Sequence, residues 1–467
     1  MASTRVITLV VASALFMENL DGTVIATSLP AIALDLKVDP IILKLAFTAY
    51  LVALAIFIPI SGWCADRFGA LTVFRAAIGV FIVSSIGCAM ADSLPMLVTA
   101  RFVQGIGGAM MVPVGRLIIL RVVTKAQMLN AMAWLTIPAL VAPVIGPPLG
   151  GFITTYAHWT WIFWLNVPIG IAGIIIASFV IPQIRADHSP PLDIWGFLMS
   201  GFGLSSLIFG FTLVGRDLLP GWAVYAMIAG GGALVTAYIL HARRAAHPIL
   251  DLSLLRVATF RMSVGAGFLF RIGIGAIPFL LPLMLQLAFG LSPFASGMLT
   301  FAAAAGALTM KFTAAPILRR FGFRSVLVLN TLISAGLLGA IALFTTETPH
   351  LVIVVVLLAG GFFRSLQFTS LNALAYSDIE PDRMSRATSF AAAAQQLSLS
   401  LGVAFAAMVL EASQAIRGSQ DLVTTDFAAG FVAVALISAL PCLLFLRLAP
   451  DAGAEVSGHR HRGVRGN

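Results

Sequence analysis

The sequence predicts an all-α polytopic membrane protein with fourteen transmembrane helices, arranged as two pseudo-symmetric six-helix bundles plus two extra linker helices. Three observations predict it. Of 467 residues, 60% are hydrophobic and 10% charged, against about 45–50% and about 25% in a soluble domain. Mean hydropathy is +1.01 over the whole length, so the apolar excess is not one anchor on a water-soluble body. Finally, apolar runs of about 20 residues, enough to cross about 30 Å of hydrocarbon, recur between charge or turn clusters. Membrane β-strands would alternate in polarity, and runs such as Leu351 to Gly361 do not.

The first run, 6–29, follows Arg5 and imitates a secretory leader. Glu18 and Asp21 interrupt it and no small-residue cleavage site follows, so it reads as the first helix. Runs at 43–64 and 71–91 flank a charged turn, and 95–119, 131–153 and 162–182 complete a bundle over residues 1–182. In the fifth run Pro147 removes a helix hydrogen bond and Gly146 and Gly150 permit close backbone approach, which predicts a bent, tightly packed helix. Runs at 194–214 and 222–241 are the linker helices, within 183–258. The second bundle, 259–447, holds 260–287, 294–317, 325–345, 351–375, 387–411 and 427–447, and a cytoplasmic tail follows at 448–467. Trp159, Trp161 and Trp164 read as an aromatic belt at the outer interface.

Charge sets the orientation. With both termini in the cytoplasm, inside segments hold nineteen of the 28 basic residues and outside segments only Lys37, Lys44, Arg216 and Arg417. The net charge of +9 then follows from topology and calls for no nucleic-acid partner. Cys64, Cys88 and Cys442 show no metal spacing, and no ATP-binding glycine loop or nucleophile–base–acid set is present, which argues against an enzyme or an ATP-driven pump.

Ionisable residues inside the runs carry the functional signal, because each costs about 2.5–3.5 kcal/mol at a helix centre unless it is paired or faces water. Glu18 and Asp21 are three residues apart on one helix face, past the midplane. Two carboxylates so close in low dielectric resist being ionised together, which suits a site that binds and releases a proton; a plain ion pair to a neighbouring arginine is the alternative. Arg101, Arg271 and Arg364 are the deep cations, whereas Arg116 and Lys311 sit near enough to the cytoplasmic face to snorkel. Gln104, Gln367, Gln395 and Gln396 are polar residues in apolar spans and candidates for a cavity lining.

Internal repetition organises these charges. The turn Asp66-Arg67-Phe68-Gly69 after the second run is matched by Arg319-Arg320-Phe321-Gly322 after the tenth. If each half divides into triplets, the triplets begin at runs 1, 4, 9 and 12, which carry Glu18 and Asp21, Arg101, Arg271 and Arg364. A shared polar cavity on the pseudo-symmetry axis is the expectation.

Four stretches together resemble signatures of the major facilitator superfamily, in its 14-helix drug:proton antiporter branch. They are Gly62-Trp63-Cys64-Ala65-Asp66-Arg67-Phe68-Gly69, with Ala70-Leu71 where a basic pair is usual; Arg101 with Gln104 and Gly105; Gly146-Pro147-Pro148-Leu149-Gly150-Gly151; and Leu20-Asp21-Gly22-Thr23-Val24-Ile25 ending in Leu29-Pro30. The stretch Trp159 to Gly170 is similar to the branch's approach to helix 6.

The resemblance implies the major facilitator fold and a proton-coupled antiporter that exports small amphipathic or drug-like compounds by alternating access. A specific carrier of a metabolite such as an organic anion, held by Arg271 and Arg364, is the alternative. It implies proton coupling at Glu18, Asp21 and Arg101, a substrate cavity with Gln104, Arg271, Arg364, Gln367 and Gln395, gating by Gly62, Asp66, Arg67 and Gly69, and an antiporter motif of Gly146, Pro147, Gly150 and Gly151. Asp66 would face a helix dipole across the halves. No cofactor is expected, the proton gradient being the drive. The expected partners are a small-molecule substrate, protons and the lipid bilayer, for a monomer in the bacterial cytoplasmic (inner) membrane.

Overall fold

A computed structural model describes residues 4–122, 125–185, 191–214, 218–380, 383–419 and 421–458. The predicted loop residue Arg216 and the end of the tail, 459–467, lie outside the described residues. Each apolar run is helical: α1 Arg5–Asp35, α2 Pro40–Phe68, α3 Ala70–Ala89, α4 Leu94–Val122, α5 Lys125–Tyr156, α6 Trp161–Val180, α7 Ile194–Leu213, α8 Gly221–Ala242, α9 Ala258–Ala288, α10 Pro293–Met310, α11 Ala314–Ile341, α12 His350–Tyr376, α13 Met384–Arg417 and α14 Thr424–Phe445. All but α5 qualify as membrane spans by length and composition among the described residues. The thirty-two residues of α5 run unbroken through Pro138, Pro143, Pro147 and Pro148.

Two breaks escape the hydropathy pattern. Within α1 the α-helix Thr4–Val24 gives way to a 3-10 turn, Ile25–Ser28, and resumes at Leu29–Asp35 with Pro30 in its first turn, where the missing N–H is harmless. In the second half, α10 ends at Met310 and 311–313 form a turn, so residues 314–317 fall in α11, whose own break at Gly322 (φ 71°, ψ 166°) lies in the gap read between the runs at 294–317 and 325–345. Gly69 occupies the corresponding turn between α2 and α3 with φ 93° and ψ 136°. Both conformations are closed to residues with a Cβ, so the repeat read from the two four-residue turns holds at the level of backbone geometry.

The chain divides into two compact units. The first holds residues 1–249 with 291–298, and so includes α7 and α8. Phe57 of α2 packs edge-on against Phe197 of α7, with ring centroids 5.4 Å apart. The two linker helices are tied by His241 Nε2 and Asp193 Oδ1 at 2.7 Å, and Asp193 also caps α7 by accepting from the Gly196 N–H at 2.8 Å. The second unit holds residues 250–290 and 299–467. A buried apolar cluster of Phe270, Leu327, Leu371, Leu374 and Phe445 joins α9, α11, α12 and α14 there. Lys44, assigned from sequence to an outside loop, is instead buried within α2, where the opening 3-10 turn Pro40–Leu43 passes into α-helix.

Candidate functional site

Helix α1 carries Asp21 to the point where α4 presents Arg101, and both side chains are 0% exposed. Arg101 Nη1 donates to Asp21 Oδ2 at 2.6 Å and to Gln104 Oε1 at 2.6 Å. The other carboxylate oxygen, Oδ1, accepts from Gln104 Nε2 at 2.9 Å and from Asn166 Nδ2 at 2.9 Å. Ser85 of α3 accepts from Gln104 at 2.8 Å and from Asn166 at 3.3 Å. Four helices thus converge on one carboxylate. The ring of Tyr50, from α2, lies 4.4 Å below the Arg101 guanidinium, a cation–π contact strengthened by desolvation. Arg101 still has spare capacity, since Nε and Nη2 are buried with no hydrogen-bond partner.

Glu18, one turn earlier, has a different setting. Its side chain is half-buried and accepts from the Tyr50 hydroxyl at 3.3 Å. The two carboxylates therefore do not share one pocket: Asp21 is sealed in an ion pair, the alternative weighed from sequence, and Glu18 stands beside it. Tyr50 touches both Glu18 and Arg101.

The second unit has a different charge pattern. Arg271 of α9 is 3% exposed; its Nη2 donates to Asn372 Oδ1 of α12 at 3.2 Å, its guanidinium lies 5.3 Å from the Phe368 ring, and its Nε is buried without a partner. Arg364, two turns before Asn372 on α12, is half-buried. Gln395 and Gln396 of α13 are half-buried as well. Two glutamines expected to line a cavity are instead packed solid. Gln104 belongs to the Asp21 cluster, and Gln367 is 0% exposed, accepting from Asn330 at 2.8 Å and donating to Thr331 at 2.7 Å. A primary amide has enough donors and acceptors to be satisfied entirely between helices, which a polar residue in an apolar run does not reveal.

The profile of the Major Facilitator Superfamily matches residues 11–260 and 263–465. The chain belongs to this superfamily. It is accordingly a multi-pass membrane transporter of small molecules and not an enzyme. Its relatives include the "Putative multidrug resistance protein MdtD" of Pectobacterium atrosepticum, 37% identical over 95% of both chains, and that of Klebsiella pneumoniae subsp. pneumoniae, 36% identical over 96% of this chain and 95% of the other. Among solved structures, the D-xylose-proton symporter aligns with a TM-score of 0.68 at 15% identity, covering 96% of this chain and 98% of that one. The human organic anion transporter MFSD10 (TETRAN) aligns with a TM-score of 0.61 at 15% identity, covering 95% and 100%. At that identity these two share the fold alone.

The superfamily's loop signature has local partners here. Asp66 accepts from Arg121 Nη2, at the end of α4, at 2.6 Å; both groups are about one-third exposed, at 31% and 30%. Gly62 has open space around it, whereas a Cβ on Gly69 would stand 2.7 Å from Gln183. Gln183 Oε1 accepts from the Leu71 N–H at 3.1 Å, and the Ile184 carbonyl accepts from the Ala70 N–H at 2.8 Å. The stretch after α6 thus satisfies the first N–H groups of α3. Arg67, beside Asp66, is exposed. In the antiporter signature, a Cβ on Gly146 would stand 2.1 Å from Thr23 Oγ1, one on Gly150 2.2 Å from the Val24 carbonyl, and one on Gly151 2.3 Å from the Pro293 carbonyl. Thr27 donates to the Pro147 carbonyl at 3.5 Å. The motif brings the backbone of α5 directly against α1, starting within one turn of Asp21.

Sequence reasoning missed Asn166, Ser85 and Tyr50, because it searched for ionisable groups. A polar Asn opening the run before Pro168 was the available signal. The aromatic belt also needs correction: Trp161 is exposed, but Trp159 is buried and donates through Nε1 to Asp35 Oδ2 at 2.8 Å, tying the loop before α6 to the end of α1.

Proposed function

We propose that the protein is a proton-coupled antiporter that exports small amphipathic or drug-like compounds by alternating access. On this reading it works as a monomer in the bacterial inner membrane with both termini cytoplasmic, and the proton gradient drives it without a cofactor. The observation that carries the proposal is the sealed Asp21–Arg101 pair with Glu18 half-buried beside it. The names of the MdtD relatives support the drug-like substrates.

Protonation supplies the switch. A proton on Asp21 leaves Arg101 charged, buried and without a counter-ion; losing one partner of a buried pair costs about 3–5 kcal/mol. A bias of about 5.5 kcal/mol carries a two-state equilibrium from 1:99 to 99:1, so one proton supplies much of what the conformational exchange requires. Glu18, the more accessible carboxylate, passes the proton in, and Arg101 sets how readily Asp21 keeps it. Substrate bound on the cytoplasmic side favours the deprotonated pair, and the cycle exchanges the two.

Asp21→Asn retains an oxygen for Arg101 but cannot take up a proton. The expected result in proteoliposomes is a folded transporter without uphill dye export under a pH gradient. Export persisting at the wild-type rate would remove Asp21 from the coupling.

A further inference from the structure

We propose that Arg271 and Arg364 form the substrate-recognition site of the second unit, and that it takes a small organic anion, whose carboxylate or phosphate oxygens pair with the two guanidinium groups. This rests on the export reading above and names the charge class of the compound exported.

The two units place charge differently on equivalent helices. In the first, the acid on α1 neutralises the arginine on α4. In the second, α9 and α12 each contribute an arginine, Arg271 and Arg364, and no carboxylate among the described residues forms an ion pair with either. Among the described residues, Asp251 pairs with Arg383 and Arg386, and Asp426 with Arg417, at helix ends of this unit. A buried charge lacking a counter-ion is costly, and membrane proteins retain such groups on ligand pathways.

Arg271 is held ready. Of its five donors, one reaches Asn372 and Nε reaches nothing although it is buried. Gly267 makes room for the guanidinium, since a Cβ there would stand 2.9 Å from Arg271 Nη1. Phe368 supports it from below. Arg364, Phe368 and Asn372 recur every four residues on one face of α12. Residues 364 and 372 are about 12 Å apart along the axis, within the combined reach of two arginine side chains directed at one small anion. Gln395 and Gln396 stand one turn before Leu399, which packs against Gly275 of α9, so they lie level with Arg271. Gln396 Oε1 is another buried atom without a partner. Guanidinium groups bind carboxylate and phosphate through paired, charge-assisted hydrogen bonds, while Phe368 offers an apolar wall to the remainder of the molecule.

The test uses the full-length protein in proteoliposomes and in detergent. The probes are succinate and glycerol 3-phosphate, with neutral succinamide and glycerol as controls. Ligand-induced thermal stabilisation and flux are read for wild type, Arg271→Gln, Arg364→Gln and Arg364→Lys. The expected result is that at least one anion, and neither neutral control, stabilises the wild type, with apparent affinity falling about tenfold or more in each Gln variant and partly restored by Lys. Arg364→Gln removes a charge that has no ion-pair partner, so the fold keeps all its ion pairs. Anion binding of equal strength in both Gln variants overturns the proposal. Absence of anion binding in a wild type that still exports dye under a pH gradient also overturns it and leaves proton-driven export intact. Anion flux that needs both arginines but ignores the pH gradient supports the site and removes the proton coupling instead.

Discussion

At the residue scale, the centre of the first unit depends on satisfying one buried carboxylate from several helices. Asp21 receives Arg101, Gln104 and Asn166, and low dielectric strengthens each of those bonds while raising the cost of losing one. Asn166→Ala leaves Asp21 and Ser85 short of a donor, and the expected loss is about 1–3 kcal/mol, read as a lower melting temperature in detergent. An unchanged melting temperature would mean that water replaces the amide. The deep charges Glu18, Asp21, Arg101, Arg271 and Arg364 were legible in the sequence, because hydrocarbon makes an ionisable group conspicuous. Uncharged Asn166, Ser85 and Tyr50 were not, since Asn, Ser and Tyr in an apolar run are equally common as packing residues. Gln104 and Gln367 erred in the other direction for the same reason: hydrogen-bonding capacity does not say whether its partner is protein or substrate.

At the element scale, small residues decide how closely helices approach. Gly150 of α5 faces the Val24 carbonyl, and a methyl there would have to move backbone, whereas Gly22 of α1 has open space around it. Gly150→Ala should therefore cost about 1–3 kcal/mol as overpacking, while Gly22→Ala should be neutral or slightly stabilising through helix propensity; equal melting temperatures for the two variants would contradict the close α1–α5 contact. Near the cytoplasmic end of the second unit, Asp251 clamps the approach to α9 onto the start of α13 by accepting from Arg383 Nη2 at 3.3 Å and from the Ser253 N–H at 3.0 Å. Burial alone would push this carboxyl up, but the Ser253 and Arg383 bonds outweigh it and hold it below the usual 3.8. The clamp's contribution is accordingly complete above that value and lost as pH falls through the lower, folded-state value. The protection factors of the amides around 251–256, exchange rates corrected for the intrinsic pH dependence, should be the same at neutral and mildly acidic pH and fall only below about pH 4; a fall near pH 6 would point to another group. Helix existence was legible because length and hydropathy suffice for it. The 3-10 turn at Ile25–Ser28 was not, because a change from α to 3-10 leaves composition unaltered, whereas the break at Gly322 falls in the gap already read between the runs at 294–317 and 325–345.

At the scale of the whole molecule, the two units repeat each other in their internal contacts. In the first, α1 packs backbone-close on α5 through Gly146 and Gly150; in the second, α9 packs on α13 through Gly275 and Gly402, where a Cβ would stand 2.3 Å from the Leu399 carbonyl and 2.1 Å from the Ile272 carbonyl. Each unit also carries one positive-φ glycine at the equivalent turn. On this common frame the charges have diverged: the first unit keeps an acid and its arginine, the second keeps arginines alone. In the proposed function, proton exchange belongs to α1 and α4 and substrate charge to α9 and α12. The division of labour rests on Asp21 changing protonation as substrate binds. Infrared difference spectroscopy of the reconstituted protein, with and without a transported compound, measures this directly. The account predicts a carboxylic-acid C=O band that changes on substrate addition and vanishes in Asp21→Asn; an identical difference spectrum in wild type and Asp21→Asn would contradict it.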